Sequence, residues 1–121
     1  MILVDTSVWI DFFLQSSPAI DKKLNELMEE GEVMALSIVF GELLQGARNM
    51  REEKIILEFW EALPEIDEEE IFIDAGLLSN KHKLMAKGVG LLDCCILASC
   101  KRNRLVLWSL DKKLNDAYSL L

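Results

Sequence analysis

The chain begins with MILVDTSVWIDFF, residues 1–13, in which a short apolar run ends at an acidic residue. The run MILV contains β-branched residues and is typical of a buried strand. Asp5, Thr6 and Ser7 are residue types that often precede the first turn of a helix, and the apolar spacing after them predicts a helix. An acid at the end of a buried strand either caps the next helix or belongs to a functional site, and the two roles are compatible.

Short apolar runs alternate with helical patterns through the rest of the chain. Further strands are predicted at EVMALS (32–37), EIFI (70–73) and RLVLWS (104–109). Helices are predicted at 18–30, 37–48, 51–63, 74–87, 91–103 and 112–117, the last with Asp111 as its cap. Strands that alternate with helices predict an α/β fold, a three-layer sandwich in which helices cover both faces of a short, mostly parallel sheet.

Length and composition indicate one domain over residues 1–121, because the chain is 51% hydrophobic and can bury a core. No apolar stretch approaches the ~20 residues of a membrane span, and no signal peptide is recognisable, so we expect a soluble, cytoplasmic protein that does not bind membranes. Cys94, Cys95 and Cys100 fit no zinc-site spacing and are expected to be reduced core residues.

The net charge of −8 argues against a protein whose whole surface attracts nucleic acid. The sign of the total says little about a single cleft, however. A group of acids placed to hold cations would itself make the total negative.

Four acids have apolar surroundings or follow a predicted strand: Asp5, Glu42, Asp93 and Asp111. Each has an ordinary explanation, because Asp5, Asp93 and Asp111 suit helix caps or first turns and Glu42 suits an exposed helix stripe. Ligands of parallel sheets bind beyond the carboxyl ends of the strands, where Asp5 and Asp111 are predicted. Four carboxylates there would repel one another unless a cation such as Mg²⁺ or Mn²⁺ were bound. With His82 as the only histidine, metal-activated water is the simplest chemistry for such a site.

Three segments in this order resemble the PIN-domain family, and within it the VapC-type toxins of prokaryotic toxin–antitoxin pairs: ILVDTSVWIDFF, SIVFGELLQGAR and KGVGLLDCCILASCKRNRLVLWSLDKKL. The resemblance covers essentially the whole chain. The acids that the family uses match, one by one, Asp5, Glu42, Asp93 and Asp111. The hydroxyl residues that accompany these acids match Thr6, Ser7 and Ser109, which are expected to hold a carboxylate or a water molecule.

The resemblance implies a PIN-like fold and an endoribonuclease that uses Mg²⁺ or Mn²⁺ held by the four acids. Its RNA products would carry 5′-phosphate and 3′-hydroxyl ends. A VapB-type antitoxin and a homodimer are implied as partners. Arg48, placed about two turns after Glu42 on the same predicted helix, is the best candidate to bind substrate. Six further basic residues are candidates for the RNA path: Lys81, Lys83, Lys87, Lys101, Arg102 and Arg104.

Two other functions remain open on the sequence. A phosphotransfer domain of the receiver or haloacid-dehalogenase kind also places an aspartate after its first strand, but DTS lacks the second aspartate of a dehalogenase. A non-catalytic PIN-fold binding module would use the acids only to bind the arginines of a partner.

Overall fold

The structure, a computed structural model, describes all 121 residues. The elements in chain order are β1 (Ile2–Val4), α1 (Thr6–Leu14), α2 (Pro18–Glu29), β2 (Val33–Met34), α3 (Ser37–Gln45), α4 (Met50–Ala62), α5 (Ile71–His82), a 3₁₀ turn (Met85–Lys87), α6 (Leu91–Asn103), β3 (Val106–Trp108) and α7 (Lys112–Tyr118). The three strands form one parallel sheet in the order β2-β1-β3. The predicted α/β fold with a parallel sheet flanked by helices is confirmed.

Strand β1 occupies the centre of the sheet because its residues are apolar on both faces. Leu3 and Val4 are fully buried, and Ile2 is paired with Val33 of β2 on one side and with Val106 of β3 on the other. The buried hydrophobic residues form a single cluster of 28 residues around this sheet. As a consequence, the residue that follows β1 lies between the carboxyl ends of both neighbouring strands.

An aromatic cluster anchors α1 to α3 and α4. Trp9 has no exposed surface, and its ring centroid lies 5.5 Å from that of Phe40 and 5.7 Å from that of Phe59. Edge-to-face aromatic pairs of this kind stabilise a core beyond the area that they bury. The cluster therefore fixes the position of α3 relative to α1, with Trp9 in the core.

The prediction of a strand at residues 70–73 is wrong, because these residues begin helix α5. Ile71, Ala75 and Leu78 recur with helical spacing and are all buried. That periodic burial favours a helix over a strand. The segment between α4 and α5 forms a single isolated parallel bridge, from Glu65 to Ala35.

Two predicted helix boundaries also differ from the structure. Helix α5 ends at His82 rather than near Gly88, because Lys83 adopts a left-handed backbone conformation with φ of 56° and a separate 3₁₀ turn follows. Helix α3 ends at Gln45, so Arg48 lies in the loop before α4 and not on the helix of Glu42. Helices commonly end at a residue in the left-handed conformation, which is usually glycine. In α5 a lysine takes this position.

The cysteines lie in the core, and the helices are short. Cys94, Cys95 and Cys100 are buried free thiols, which confirms their assignment to the core. The longest helices, α4 and α6, have 13 residues each, and none has the length and apolar character that a bilayer span needs.

Candidate active site

Asp5 lies at the carboxyl end of β1 and is held by hydroxyl groups rather than by helix α1. Its side chain forms no capping hydrogen bond to α1, although the residue occupies the capping position. The Oδ2 atom accepts hydrogen bonds from Ser7 Oγ at 2.8 Å and from Ser109 Oγ at 2.7 Å. Only 6% of the Asp5 surface is exposed. Burial of a carboxylate is costly without such donors, so the two serines stabilise its placement.

Glu42 projects from α3 toward the first turn of α1. Its Oε1 atom accepts a hydrogen bond of 3.2 Å from Thr6 Oγ1, the residue that follows Asp5. The side chain is half-buried, so it does not belong to a fully solvated stripe of the helix. This contact brings the second predicted acid to the end of the sheet where Asp5 lies.

Asp111 caps helix α7, as the sequence predicts. Its Oδ1 atom accepts hydrogen bonds from the backbone amides of Lys113 at 2.9 Å and Leu114 at 3.3 Å. Its own amide donates to Ser109 Oγ at 3.0 Å, so the serine that holds Asp5 also fixes the turn of Asp111. The cap therefore orients one carboxylate oxygen and leaves the other free of hydrogen bonds.

Asp93 stands in the first turn of α6, where burial and the charges of the other three acids act on its carboxyl. Burial raises the pKa of its carboxyl above the ordinary value, and the charges of Asp5, Asp111 and Glu42 raise it further. Like charges disfavour ionisation only at short range. The fold thus brings together four residues that are separated by tens of positions in the sequence.

The donor set suits a hard divalent cation. Asp5, Glu42 and Asp111 each use one carboxylate oxygen in hydrogen bonds and keep the other free, and Asp93 accepts no hydrogen bond. Carboxylate oxygens are the ligands that Mg²⁺ and Mn²⁺ prefer. No three His, Cys, Asp or Glu side chains converge closely enough in this arrangement to enclose a metal ion. Repulsion among ionised carboxylates opposes closer approach, so the side chains would have to converge further to hold a cation.

The basic residues proposed for substrate contact have different surroundings. Arg48 is largely exposed and donates from Nε to Glu52 Oε1 at 2.9 Å, which raises its pKa and lowers that of Glu52. Arg102 forms an ion pair with Asp74. Both guanidinium groups are therefore partly neutralised, while Lys81 and Lys101 form no ion pair.

Sequence reasoning missed two supporting residues. Glu68 accepts a hydrogen bond from the backbone amide of Ser37 at 3.1 Å and thereby caps α3, the helix of Glu42. Asn115 Nδ2 donates to the carbonyl of Ser109 at 2.8 Å. Glu68 lies in a run of acids, which is typical of a solvated surface, so no local signal marks it.

A groove of about 340 Å³ between α1, α3 and α4 opens onto Glu42. Its apolar lining comes from three helices: Ile10, Phe13, Leu14, Leu43, Ile55 and Ile56. Arg48 and Glu52 lie in the same groove, so the acidic site is continuous with an apolar surface that carries one ion pair.

The protein is an α/β protein with a parallel sheet and with acids, supported by hydroxyl groups, at the carboxyl ends of the strands. The family model of the PIN domain matches residues 2–120. The chain belongs to the PIN-domain family, which confirms the resemblance seen in its sequence.

The relatives of this chain include a curated ribonuclease and two solved structures. It is 31% identical to Ribonuclease VapC32 of Mycobacterium tuberculosis, with 97% of this chain and 90% of the relative covered. VapBC2 from Rickettsia felis, solved bound to a DNA fragment from its promoter, is similar with a TM-score of 0.72 at 19% identity over 96% of this chain and 92% of that chain. FitAcB from Neisseria gonorrhoeae is similar with a TM-score of 0.64 and 23% sequence identity, and the match covers 98% of this chain and 94% of that chain. These two structures support the fold alone.

Proposed function

We propose that the chain is an endoribonuclease that requires Mg²⁺ or Mn²⁺ and acts as the toxin of a toxin–antitoxin pair. The observation that carries the proposal is the grouping of Asp5, Glu42, Asp93 and Asp111, each with a carboxylate oxygen free of hydrogen bonds. Membership of the PIN-domain family and similarity to a curated ribonuclease support the same activity.

Each residue of the site has a role in the proposed reaction. The four acids would hold the cation, which would supply an activated water molecule and neutralise charge on the phosphoryl oxygens. Thr6, Ser7 and Ser109 orient Glu42 and Asp5 through the hydrogen bonds described above. Hydrolysis in line with the leaving 3′-oxygen yields 5′-phosphate and 3′-hydroxyl ends.

Arg48 is retained as a substrate-binding residue in this proposal, although it does not share a helix with Glu42. It lines the groove that opens onto Glu42, and its ion pair with Glu52 is exposed. Exposed ion pairs are weak and exchange readily. A phosphate of the RNA competes with Glu52 for the guanidinium group.

We place a VapB-type antitoxin in the groove between α1, α3 and α4. The apolar lining suits the apolar side chains of a helix or an extended segment. A basic side chain of that segment would reach Glu42 at the end of the groove and neutralise the acids. The proposed partner follows the composition of the VapBC2 complex, whose fold this chain shares.

A homodimer is the second partner in the proposal. Helix α5 exposes three apolar side chains on adjacent turns: Phe72, Ile73 and Leu77. Exposed apolar patches of this kind mark protein interfaces. Sedimentation of the wild type and of Ile73→Lys tests the assignment, since a monomeric wild type contradicts it.

The deciding experiment measures RNA cleavage by purified chain that has been separated from any partner by unfolding and refolding. Total RNA is incubated with Mn²⁺ or with chelator, and new 5′-phosphate ends are sequenced. Asp5→Asn and Glu42→Gln should abolish the ends, whereas Glu69→Gln, an exposed acid outside the site, should retain them. Ends that persist in Glu42→Gln, or in chelator, contradict the proposal.

A non-catalytic binding module of the same fold is the second candidate function. The observation that favours it is that no three carboxylates are close enough in this arrangement to enclose a cation. It predicts a folded wild type without nuclease activity whose acids still bind an arginine-rich peptide. Receiver and dehalogenase phosphotransfer domains are different families from the one to which the chain belongs.

A further inference from the structure

Charge is distributed unevenly along the chain. Residues 1–74 contain 18 acidic and 5 basic residues, whereas residues 75–121 contain 3 acidic and 8 basic residues. Two of those three acids are Asp93 and Asp111 of the candidate site. The part of the chain that supplies these two acids is therefore basic, although the whole protein carries a net charge of −8.

Lys113 lies across the loop that leads into α6. A Cβ atom added to Gly88 would be 3.2 Å from Lys113 Nζ and 3.7 Å from its Cε, so the lysine passes directly over the glycine backbone. Gly88 has a φ of 80°, which L residues rarely adopt. Lys113 follows Asp111 by two positions and Gly88 precedes Asp93 by five, so the lysine spans the two chain segments that carry these acids.

The charge of Lys113 is available to a ligand. The chain has four ion pairs, and Lys113 belongs to none of them. Lys112 differs, because its Nζ lies 2.7 Å from Asp116 Oδ2. Lys87, next to Gly88, donates only to the neutral carbonyl of His82 and keeps its charge as well. A lysine that served only to neutralise the acids would pair with one of them.

We propose that Lys113 binds the RNA phosphate adjacent to the one that is cleaved. The inference rests on the proposed ribonuclease function of the site. An acidic site repels the polyanion that it must bind, and an unpaired ammonium group between the segments of Asp93 and Asp111 supplies the missing attraction. Contact with the phosphate backbone positions the strand and carries no base preference.

Steady-state cleavage separates binding from chemistry. Lys113→Ala should raise KM about tenfold, the effect of losing one charge-assisted contact, with kcat nearly unchanged. It should also reduce the slope of log KM against log salt concentration by about 1. Lys113→Arg should restore both values, and Lys112→Ala, the matched control, should behave as the wild type. A wild-type KM and salt slope in Lys113→Ala overturn the inference.

A binding measurement distinguishes failure of this inference from failure of the proposed function. Fluorescence anisotropy of a labelled single-stranded RNA is followed in chelator, where no cleavage is expected. If the wild type binds more tightly than Lys113→Ala but never cleaves RNA, Lys113 keeps its role and the nuclease proposal fails. Equal binding by the wild type, Lys113→Ala and Lys112→Ala overturns the role of Lys113, whatever the activity.

The glycine provides a second, independent variant. In Gly88→Ala the added Cβ would shift the end of the Lys113 side chain by a few tenths of an ångström, so any rise in KM should appear only while Lys113 is present and not in the Lys113→Ala background. Additive effects of the two substitutions contradict the contact. Thermal unfolding of each variant verifies that the strained backbone at residue 88 still folds.

Discussion

Ser109 donates a hydrogen bond of 2.7 Å to Asp5, although 104 positions separate the two residues in the sequence. Ser109 follows β3 and Asp5 follows β1, and the two strands are neighbours in the sheet. The hydroxyl of Ser109 also accepts a hydrogen bond from the backbone amide of Asp111. One serine thus joins two of the four acids, and the geometry of the site depends on correct pairing of β1 with β3.

Ser109→Ala tests this dependence. We expect the free energy of unfolding to fall by about 1–3 kcal/mol, because a buried carboxylate loses a donor. RNA cleavage should fall about 10- to 100-fold, since Asp5 is then less well oriented. Urea unfolding and cleavage rates measure the two effects. Ser119→Ala, which removes an exposed hydroxyl at the end of α7, is the control, and an unchanged Ser109→Ala variant would contradict the prediction.

Asp93→Asn should increase stability while abolishing cleavage. Burial, followed by the charges of Asp5 and Asp111, raises the pKa of Asp93 in the folded chain. The unfolded chain therefore releases this proton at lower pH than the folded chain. The stability linked to Asp93 is complete below the unfolded pKa and is lost as the pH rises through the folded pKa.

The measurement is urea unfolding of the wild type and Asp93→Asn in chelator. The variant should gain stability relative to the wild type as the pH rises from about 4 to about 7, the interval above the ordinary aspartate pKa. Asp116→Asn, at an exposed position on α7, is the control. A difference between Asp93→Asn and the wild type that does not change with pH would show that the pKa of Asp93 is not raised in the folded chain.

The Arg48–Glu52 pair predicts opposite effects of two single substitutions. Arg48→Ala should raise KM for RNA, whereas Glu52→Gln should lower it by releasing the guanidinium group from its 2.9 Å contact. Arg48 is exposed and Glu52 is half-buried, and because the two form a surface ion pair, neither change should alter the melting temperature measurably. If KM is the same in both variants and the wild type, Arg48 has no part in substrate binding.

The thiols should be unreactive in the folded protein. Burial raises the pKa of Cys95 to about 11 and that of Cys100 to about 12, and it also raises the pKa of Cys94. Thiolate is the reactive form, and little of it exists at neutral pH when the pKa is so high. Labelling with a thiol reagent near neutral pH should be negligible in buffer and should reach all three cysteines in urea. Rapid labelling of any thiol without urea would refute the buried placement.

Much of the fold followed from local patterns. Short apolar runs predicted β1 and β3, and the helices predicted at 18–30 and, with Asp111 as its cap, at 112–117 correspond to α2 and α7 at nearly their observed bounds. The family motifs identified the PIN-domain family, which the match over residues 2–120 confirms. The strand predicted at residues 70–73 failed because a run of four apolar and acidic residues is too short to distinguish a strand from the first turn of a helix.

The sequence by itself determined the alternation of strands and helices, the family, and the four acids that stand in apolar surroundings. Only the tertiary structure decided that Asp5 is held by Ser109, that Glu42 meets Thr6, and that the charges of the other acids reach Asp93. It also placed Lys113 over Gly88 and separated Arg48 from α3. The physical reason is the range of the forces: hydrophobic periodicity and capping act within a few neighbouring residues, whereas the electrostatics of the site arise between residues that only packing of the sheet and helices brings together.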